Sequence, residues 1–151
     1  MTENFQAYLD SEREKINQRM NTYFKKLIEE EEEPYLRKFL THFYNFSKGP
    51  GRQLLPICLV NTFIGLSSDK LISEYLEDVY KISISIEFLH ISALVIDDLI
   101  DREEIRRGLP TFHKSILNVE NLNQGSSKTK MDSAKLMEYE TSSAIYAGNL
   151  T

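Results

Sequence analysis

The 151-residue sequence contains one cysteine, Cys58, and no tryptophan. A single cysteine excludes a disulfide framework within the chain, which fits a cytoplasmic location. Because Cys58 lies in the apolar stretch "LLPICLVNTF", we expect a buried core thiol. No apolar run approaches the ~18 residues of a membrane span, and the acidic N-terminus does not resemble a signal peptide. We therefore expect no transmembrane segment. The net charge of -5 argues against a general nucleic-acid-binding surface.

Glycine and proline are scarce as well, and their scarcity predicts helices. Six glycines and four prolines are present, and none lies within residues 3–33 or 66–107. The first of these segments should form a helix that ends near residues 30–33, and a second helix should follow over residues 34–46. The acidic run 29–33 is interpreted as a solvated surface. The apolar residues at helical spacing in the first segment are Phe5, Leu9, Ile16, Met20, Phe24, Leu27 and Ile28.

The remaining sequence predicts further helices joined by polar loops. Residues 47–56 hold two glycines and two prolines and predict a loop, which a short apolar helix follows. A long helix should begin after Ser67 or Ser68. Its segment "KISISIEF" alternates like a strand, but the flanking periods of three and four favour a helix. Residues 118–135 are polar and predict a long, mobile surface loop before a last helical segment. The fold class predicted is all-α.

The most informative stretch is "ALVIDDLIDREEIRRGLP", residues 93–110. In a helix, Asp97 and Asp98 lie four and three residues before Asp101, so the three carboxylates converge near the end of the helix. Like charges this close need a cation, and all-oxygen ligation favours Mg²⁺ or Ca²⁺ over zinc. Arg106 and Arg107 add forked donors that suit phosphate oxygens. Together these residues imply a diphosphate ligand. The alternative is a solvated helix end with surface salt bridges.

Residues earlier in the same predicted helix extend this interpretation. His90 lies seven residues before Asp97 on the same side, and the small residues Ser92 and Ala93 lie between them. A polar mouth above an apolar shaft suits a ligand with a diphosphate head and a hydrocarbon tail. For His90 alone, a hydrogen-bonded core histidine is the competing interpretation.

Four landmarks stand out in this region, namely Glu87-x-x-His90, Asp97-Asp98-x-x-Asp101, Arg106-Arg107-Gly108 and Pro110-Thr111. Together they resemble the motifs of the trans-isoprenyl diphosphate synthases, also called polyprenyl synthetases. The upstream loop "GPGRQLLP" and the segment "AIYAGN" resemble family motifs more loosely. The resemblance covers roughly residues 40–114 and 140–151.

This resemblance implies the N-terminal half of the isoprenoid-synthase helical bundle. It also implies Mg²⁺-dependent condensation of an allylic diphosphate with isopentenyl diphosphate. Small residues at the chain-length positions imply geranylgeranyl diphosphate or a longer product. The implied roles are catalytic Mg²⁺ ligation by Asp97, Asp98 and Asp101; allylic diphosphate binding by Arg106; isopentenyl diphosphate binding by Arg52, His90 and Arg107; and control of chain length by Ser92 and Ala93.

Two departures from the family pattern keep other functions open. Leu55 stands where the family loop has an arginine that binds isopentenyl diphosphate, so a terpene cyclase on the same fold is an alternative. The sequence to Thr151 contains no second aspartate-rich motif. From this we expect an incomplete synthase domain, inactive alone, that forms a homodimer or is completed by a partner chain. A noncatalytic, regulatory subunit of a prenyl synthase is the third alternative.

Overall fold

A computed structural model describes residues 2–49, 51, 53–119 and 132–149. It confirms the all-α prediction, since a two-stranded hairpin is the only sheet in the described part of the chain. The chain divides into two compact units, one of Met1–Glu30 with Gly51–Leu89 and one of Glu31–Pro50 with His90–Thr151. The elements are α1 (Thr2–Glu30), α2 (Pro34–Ser47), α3 (Leu54–Leu66), α4 (Asp69–Ile100), β1 (Ile105–Arg106), β2 (Leu109–Pro110), α5 (Phe112–Val119) and α6 (Ser133–Gly148).

The acidic run before α2 explains where that helix begins. The Glu33 carboxylate accepts a hydrogen bond from the Leu36 backbone N–H at 2.6 Å, and Pro34 occupies the first helical position. Both features are favourable at a helix start, because the first N–H groups have no partner within the helix. The run is mostly exposed, as predicted, but Glu33 also has a capping role.

Two other predicted boundaries differ from the structure, and one ambiguity is resolved as predicted. Helix α3 begins at Leu54, inside the predicted loop, and accommodates Pro56 because N–H groups of a first turn need no helical partner. The segment "KISISIEF" is helical within α4, as predicted. Both ends of the predicted loop 118–135 are helical, because α5 extends to Val119 and α6 begins at Ser133. Its residues 120–131 lie outside the described part of the chain.

The core of the first unit is built on the apolar stripe of α1. Ile16, Met20 and Phe24 are buried there, and the Phe24 ring meets Phe88 of α4 edge to face with centroids 5.1 Å apart. A buried polar pair also joins α1 to α4 in this unit. The Tyr80 hydroxyl donates to the buried carboxylate of Glu12 at 2.7 Å, and burial together with this contact raises the pKa of Tyr80.

Two expectations about apolar segments are wrong, and the expectation of no membrane span stays untested. Phe5 of the predicted stripe is exposed. Cys58 is exposed as well, because α3 buries the side on which Pro56, Ile57 and Val60 lie. Helix α4 has the length and composition of a membrane-spanning helix, the only such helix among the described residues, although no membrane span was expected. Part of its most apolar window is buried within the protein, and core helices share this composition.

The second unit is organised around the fully buried ring of Phe112 at the start of α5. Four aromatic rings of α2 surround it with centroid distances between 5.1 and 6.0 Å. The three phenylalanine rings pack edge to face, which adds to the free energy gained by burial. Phe112 therefore fixes α5 against α2 and anchors the chain directly after the hairpin. The four α2 residues are Phe39, His42, Phe43 and Phe46.

Candidate functional site

The chain reverses direction directly after the aspartate-rich end of α4. Backbone N–H groups of Asp101 and Glu103 donate to the carbonyl groups of Asp97 and Asp98, each at 2.9 Å. The hairpin then pairs Arg106 with Leu109. Its two central residues, Arg107 and Gly108, have φ values of 53° and 79°. Positive φ at both positions is what a tight type I′ turn requires. The hairpin therefore folds back after Arg106, and Arg106 in its first strand contacts the aspartates at the end of α4.

Arg106 binds two of the three predicted carboxylates. Its Nε donates to Asp98 Oδ1 at 2.5 Å, and its Nη2 donates to Asp97 Oδ2 at 3.1 Å. The Asp98 side chain is 0% exposed, the Asp97 side chain is 58% exposed and the Arg106 side chain is 29% exposed. The hydrogen bond to Asp98 is the largest cause that raises the pKa of Arg106. The guanidinium is thus held between an inner and an outer carboxylate.

The three aspartates differ in their access to a metal ion. Asp97 and Asp101 are exposed and lie one helical turn apart, whereas Asp98 is buried. Across the described residues, no group of three His, Cys, Asp or Glu side chains is arranged to hold a metal ion. Mg²⁺ commonly uses one or two carboxylates and completes its octahedron with water and substrate phosphates. The exposed pair of Asp97 and Asp101 fits that donor set.

The residues predicted to bind a second diphosphate come from separate segments of the sequence. His90 is half-buried on α4, two turns before Asp97, and Arg107 is exposed in the turn of the hairpin. Arg52 lies outside the described residues. Leu55 stands where the loop of the trans-isoprenyl diphosphate synthases has an arginine, and it is half-exposed in the first turn of α3.

The two residues predicted to set chain length face different surroundings. Ser92 is buried against α6, where its hydroxyl lies 3.5 Å from the Ala147 carbonyl oxygen. The helices approach so closely that a Cβ built at Gly148 would lie 2.5 Å from Ile96 Cγ1. Close packing of helices therefore accounts for the small side chain at Ser92. Ala93 is exposed and lies one turn before Asp97 on the same side of α4.

Two buried polar residues after the hairpin were not predicted as part of the site. Thr111 is fully buried, and its hydroxyl donates to the Glu103 carbonyl oxygen at 2.9 Å. His113 is 4% exposed, and burial is the largest cause that lowers its pKa. Its Nδ1 atom and the Oδ2 atom of Asp98 are both buried without a hydrogen-bond partner in the described structure. The motif Pro110-Thr111 was visible in the sequence, but the burial of His113 was not.

Comparison with known proteins identifies the family. A family model described as "Polyprenyl synthetase" matches residues 34–149, a range that includes α2 and every candidate site residue. The chain belongs to the polyprenyl synthetase family. This assignment confirms the resemblance seen in the aspartate-rich and arginine motifs.

Individual polyprenyl synthetases match over shorter stretches. The geranylgeranyl diphosphate synthase of Saccharolobus solfataricus is 42% identical over 71 residues, which are 47% of this chain and 19% of the relative. The geranylgeranyl pyrophosphate synthase of Geoglobus acetivorans is 31% identical over 94 residues, which are 62% of this chain and 27% of the relative. The matched region thus spans less than a third of each relative's length. No solved structure matches this chain.

Proposed function

We propose that this chain carries the allylic diphosphate site of a prenyltransferase that condenses an allylic diphosphate with isopentenyl diphosphate. Geranylgeranyl diphosphate or a longer prenyl diphosphate is the proposed product. The observation that carries the proposal is Arg106, held by Asp97 and Asp98 at the end of α4. Membership of the polyprenyl synthetase family and similarity to geranylgeranyl diphosphate synthases support it.

In this proposal the carboxylates have two different tasks. Asp97 and Asp101 hold Mg²⁺, while Asp98 completes the acidic trio from inside by holding Arg106. When bound, Mg²⁺ neutralises negative charge on the diphosphate and assists its departure. Two nitrogens of Arg106 are already oriented by carboxylates, which leaves the Nη1 donors for a diphosphate oxygen.

The chemistry of the step explains why a fixed arginine is useful. When the allylic carbon–oxygen bond breaks, the electron pair leaves with the diphosphate, and negative charge accumulates there. A donor that is already oriented stabilises this charge without having to reorganise. The double bond of isopentenyl diphosphate then attacks the allylic cation, and the new cation loses a proton, which an oxygen of the released diphosphate can accept, to give the longer prenyl diphosphate. His90, Arg107 and Arg52 are the residues proposed to hold the diphosphate of isopentenyl diphosphate.

A terpene cyclase is the second candidate, because Leu55 replaces an arginine of the isopentenyl diphosphate site. We would incubate the purified protein, assembled as a homodimer or with a second synthase chain, with Mg²⁺, farnesyl diphosphate and labelled isopentenyl diphosphate. A labelled prenyl diphosphate of twenty or more carbons is expected, and Asp97→Asn should abolish it. Asp69→Asn at the other end of α4 is the control. Hydrocarbon release from geranylgeranyl diphosphate alone would instead support the cyclase.

Product length provides a test of Ala93. Ala93 is exposed on the side of α4 that Asp97 shares, so Ala93→Phe should block a growing prenyl chain and shorten the product. Ser92→Ala should leave the product distribution unchanged, because Ser92 faces α6. Chromatography of the dephosphorylated products measures both. An unchanged distribution in Ala93→Phe would contradict the proposed role.

Assembly and location follow from the same proposal. A homodimer, or a complex with a second synthase chain, and a cytoplasmic location are proposed. Light scattering coupled to size-exclusion chromatography would test the assembly. Synthase activity that requires the second chain but survives Asp97→Ala would support a regulatory role instead.

A further inference from the structure

We propose that His113 is a positioning residue for Arg106 and acts through the buried carboxylate of Asp98. The inference rests on the proposed function, since it concerns how the diphosphate-binding guanidinium is held. In this arrangement the Nδ1–H group of His113 donates a hydrogen bond to Asp98 Oδ2, while Asp98 Oδ1 accepts one from Arg106 Nε. The three side chains then form one polar unit, of which only Arg106 reaches the surface.

The first support is the complementarity of two buried atoms. Asp98 is 0% exposed, and Arg106 uses only its Oδ1 atom. Oδ2 and His113 Nδ1 are both buried and have no hydrogen-bond partner in the described structure. An ionised carboxylate can only accept, whereas a neutral imidazole can donate from Nδ1. Buried polar atoms are costly when they remain unpaired, and each of these atoms is the kind of partner that the other requires.

The second support is the path of the backbone between the two residues. The Glu103 N–H group donates to the Asp98 carbonyl, and the Glu103 carbonyl accepts from the Thr111 hydroxyl, both at 2.9 Å. Two hydrogen bonds therefore lead from Asp98 to Thr111. His113 follows two residues later, in the first turn of α5. Phe112 is fully buried among the rings of α2, so this turn is firmly anchored.

The third support is electrostatic. Burial is the largest cause that lowers the pKa of His113, and the neighbouring Lys114 lowers it further. The negative charges of Glu140, Asp98 and Glu104 act in the opposite direction and raise the pKa of His113. The Asp98 carboxylate therefore interacts electrostatically with the imidazole. The net lowering of the pKa favours a neutral ring near neutral pH. A neutral ring with one N–H group is the form that a carboxylate can orient.

The test separates the two nitrogen atoms of the imidazole. Asparagine at position 113 places an amide N–H near the position of Nδ1, whereas glutamine places it near Nε2. We would measure binding of inorganic diphosphate in the presence of Mg²⁺ by calorimetry, using the full chain. We expect His113→Gln and Asp98→Asn each to weaken binding about tenfold, equivalent to one oriented hydrogen bond. His113→Asn should remain within about threefold of the wild type, on the same scale.

A double mutant distinguishes positioning from a general loss of folding. In the Asp98→Asn background, His113→Gln should have no further effect on diphosphate affinity, because the link to Arg106 is already altered. Circular dichroism would establish a temperature at which every variant is folded. Wild-type affinity in folded His113→Gln, or losses that add in the double mutant, would overturn the inference.

A second measurement keeps the inference testable if His113→Gln does not fold. In the ¹⁵N-labelled wild type, imidazole nitrogen shifts report which ring nitrogen carries the proton. The inference requires protonated Nδ1 and an Arg106 Nε–H signal that shifts in Asp98→Asn. Unprotonated Nδ1 would overturn it. If the wild type binds no diphosphate, the proposed function fails, while this spectrum still decides the contact of His113 with Asp98.

Discussion

Removal of Arg106 should destabilise the second unit by leaving a buried charge without its partner. Arg106→Ala deletes the nitrogen that contacts Asp98, whose side chain is 0% exposed. Breaking a buried ion pair from one side costs about 3–5 kcal/mol. Because Arg106 is itself 29% exposed, water can reach the space that the guanidinium leaves. We therefore expect a cost at or just below the lower limit of that range, about 2–3 kcal/mol.

This loss should be readily measurable. For a chain of 151 residues, it corresponds to a fall in Tm of roughly 5–10 °C. Urea unfolding followed by circular dichroism would give the free energy of unfolding. Arg102→Ala is the matched control, since it removes an exposed arginine of the same segment and should change stability by less than about 0.5 kcal/mol.

The decisive comparison repeats Arg106→Ala in the Asp98→Asn background. Without the buried charge, loss of the arginine should cost less than about 1 kcal/mol, because a neutral amide needs no counter-ion. The difference between the two backgrounds measures the coupling of Arg106 to Asp98. The same cost in both backgrounds would refute the explanation of stability by a buried ion pair.

Two further predictions concern packing and titration. Gly148→Ala should lower the free energy of unfolding by about 1–3 kcal/mol, because the new Cβ would clash with Ile96. Gly65→Ala should raise it by about 0.5–1 kcal/mol, because no atom lies within 4 Å of the new Cβ. Thermal unfolding would compare the two variants, and similar changes in Tm would contradict the close approach of α4 and α6. Burial lowers the pKa of His42 below its ordinary 6.5, so the unfolded state binds the proton more readily. The stability provided by the neutral ring should be lost as the pH falls through 6.5 toward the lower folded-state pKa, and urea midpoints for His42→Gln should show a weaker pH dependence. If the urea midpoint changed with pH equally in His42→Gln and in the wild type, His42 would not contribute to the pH dependence of stability.

Much of the helical fold could be predicted because its signals are local. Alternation in "KISISIEF" suggested a strand, but Tyr80, Ile84 and Glu87 are buried at spacings of four and three, which only a helix aligns. The hairpin was missed because Arg107 occupies a position with positive φ, where sequence patterns favour glycine or asparagine. The exposure of Cys58 depends on which side of α3 packs, and composition does not contain that information.

The sequence predicted which residues form the candidate site, but not which of their side chains are buried. Spacing placed Asp97, Asp98 and Asp101 near one side of a helix, yet consecutive residues differ by about 100° around the axis. That rotation turns Asp98 toward the interior while Asp97 and Asp101 remain exposed. Burial of Asp98 depends on tertiary packing of the second unit, and the pairing with Arg106 depends on the hairpin. Both arise from contacts between segments, which a periodic pattern cannot reveal.

The most direct measurement is a crystal structure of the protein with inorganic diphosphate and Mn²⁺, a substitute for Mg²⁺ that is visible by anomalous scattering. We predict an anomalous peak ligated by Asp97 and Asp101, with Arg106 in contact with the diphosphate and Asp98 outside the coordination sphere. A metal ion bound elsewhere, or diphosphate bound away from Arg106, would contradict the proposed site.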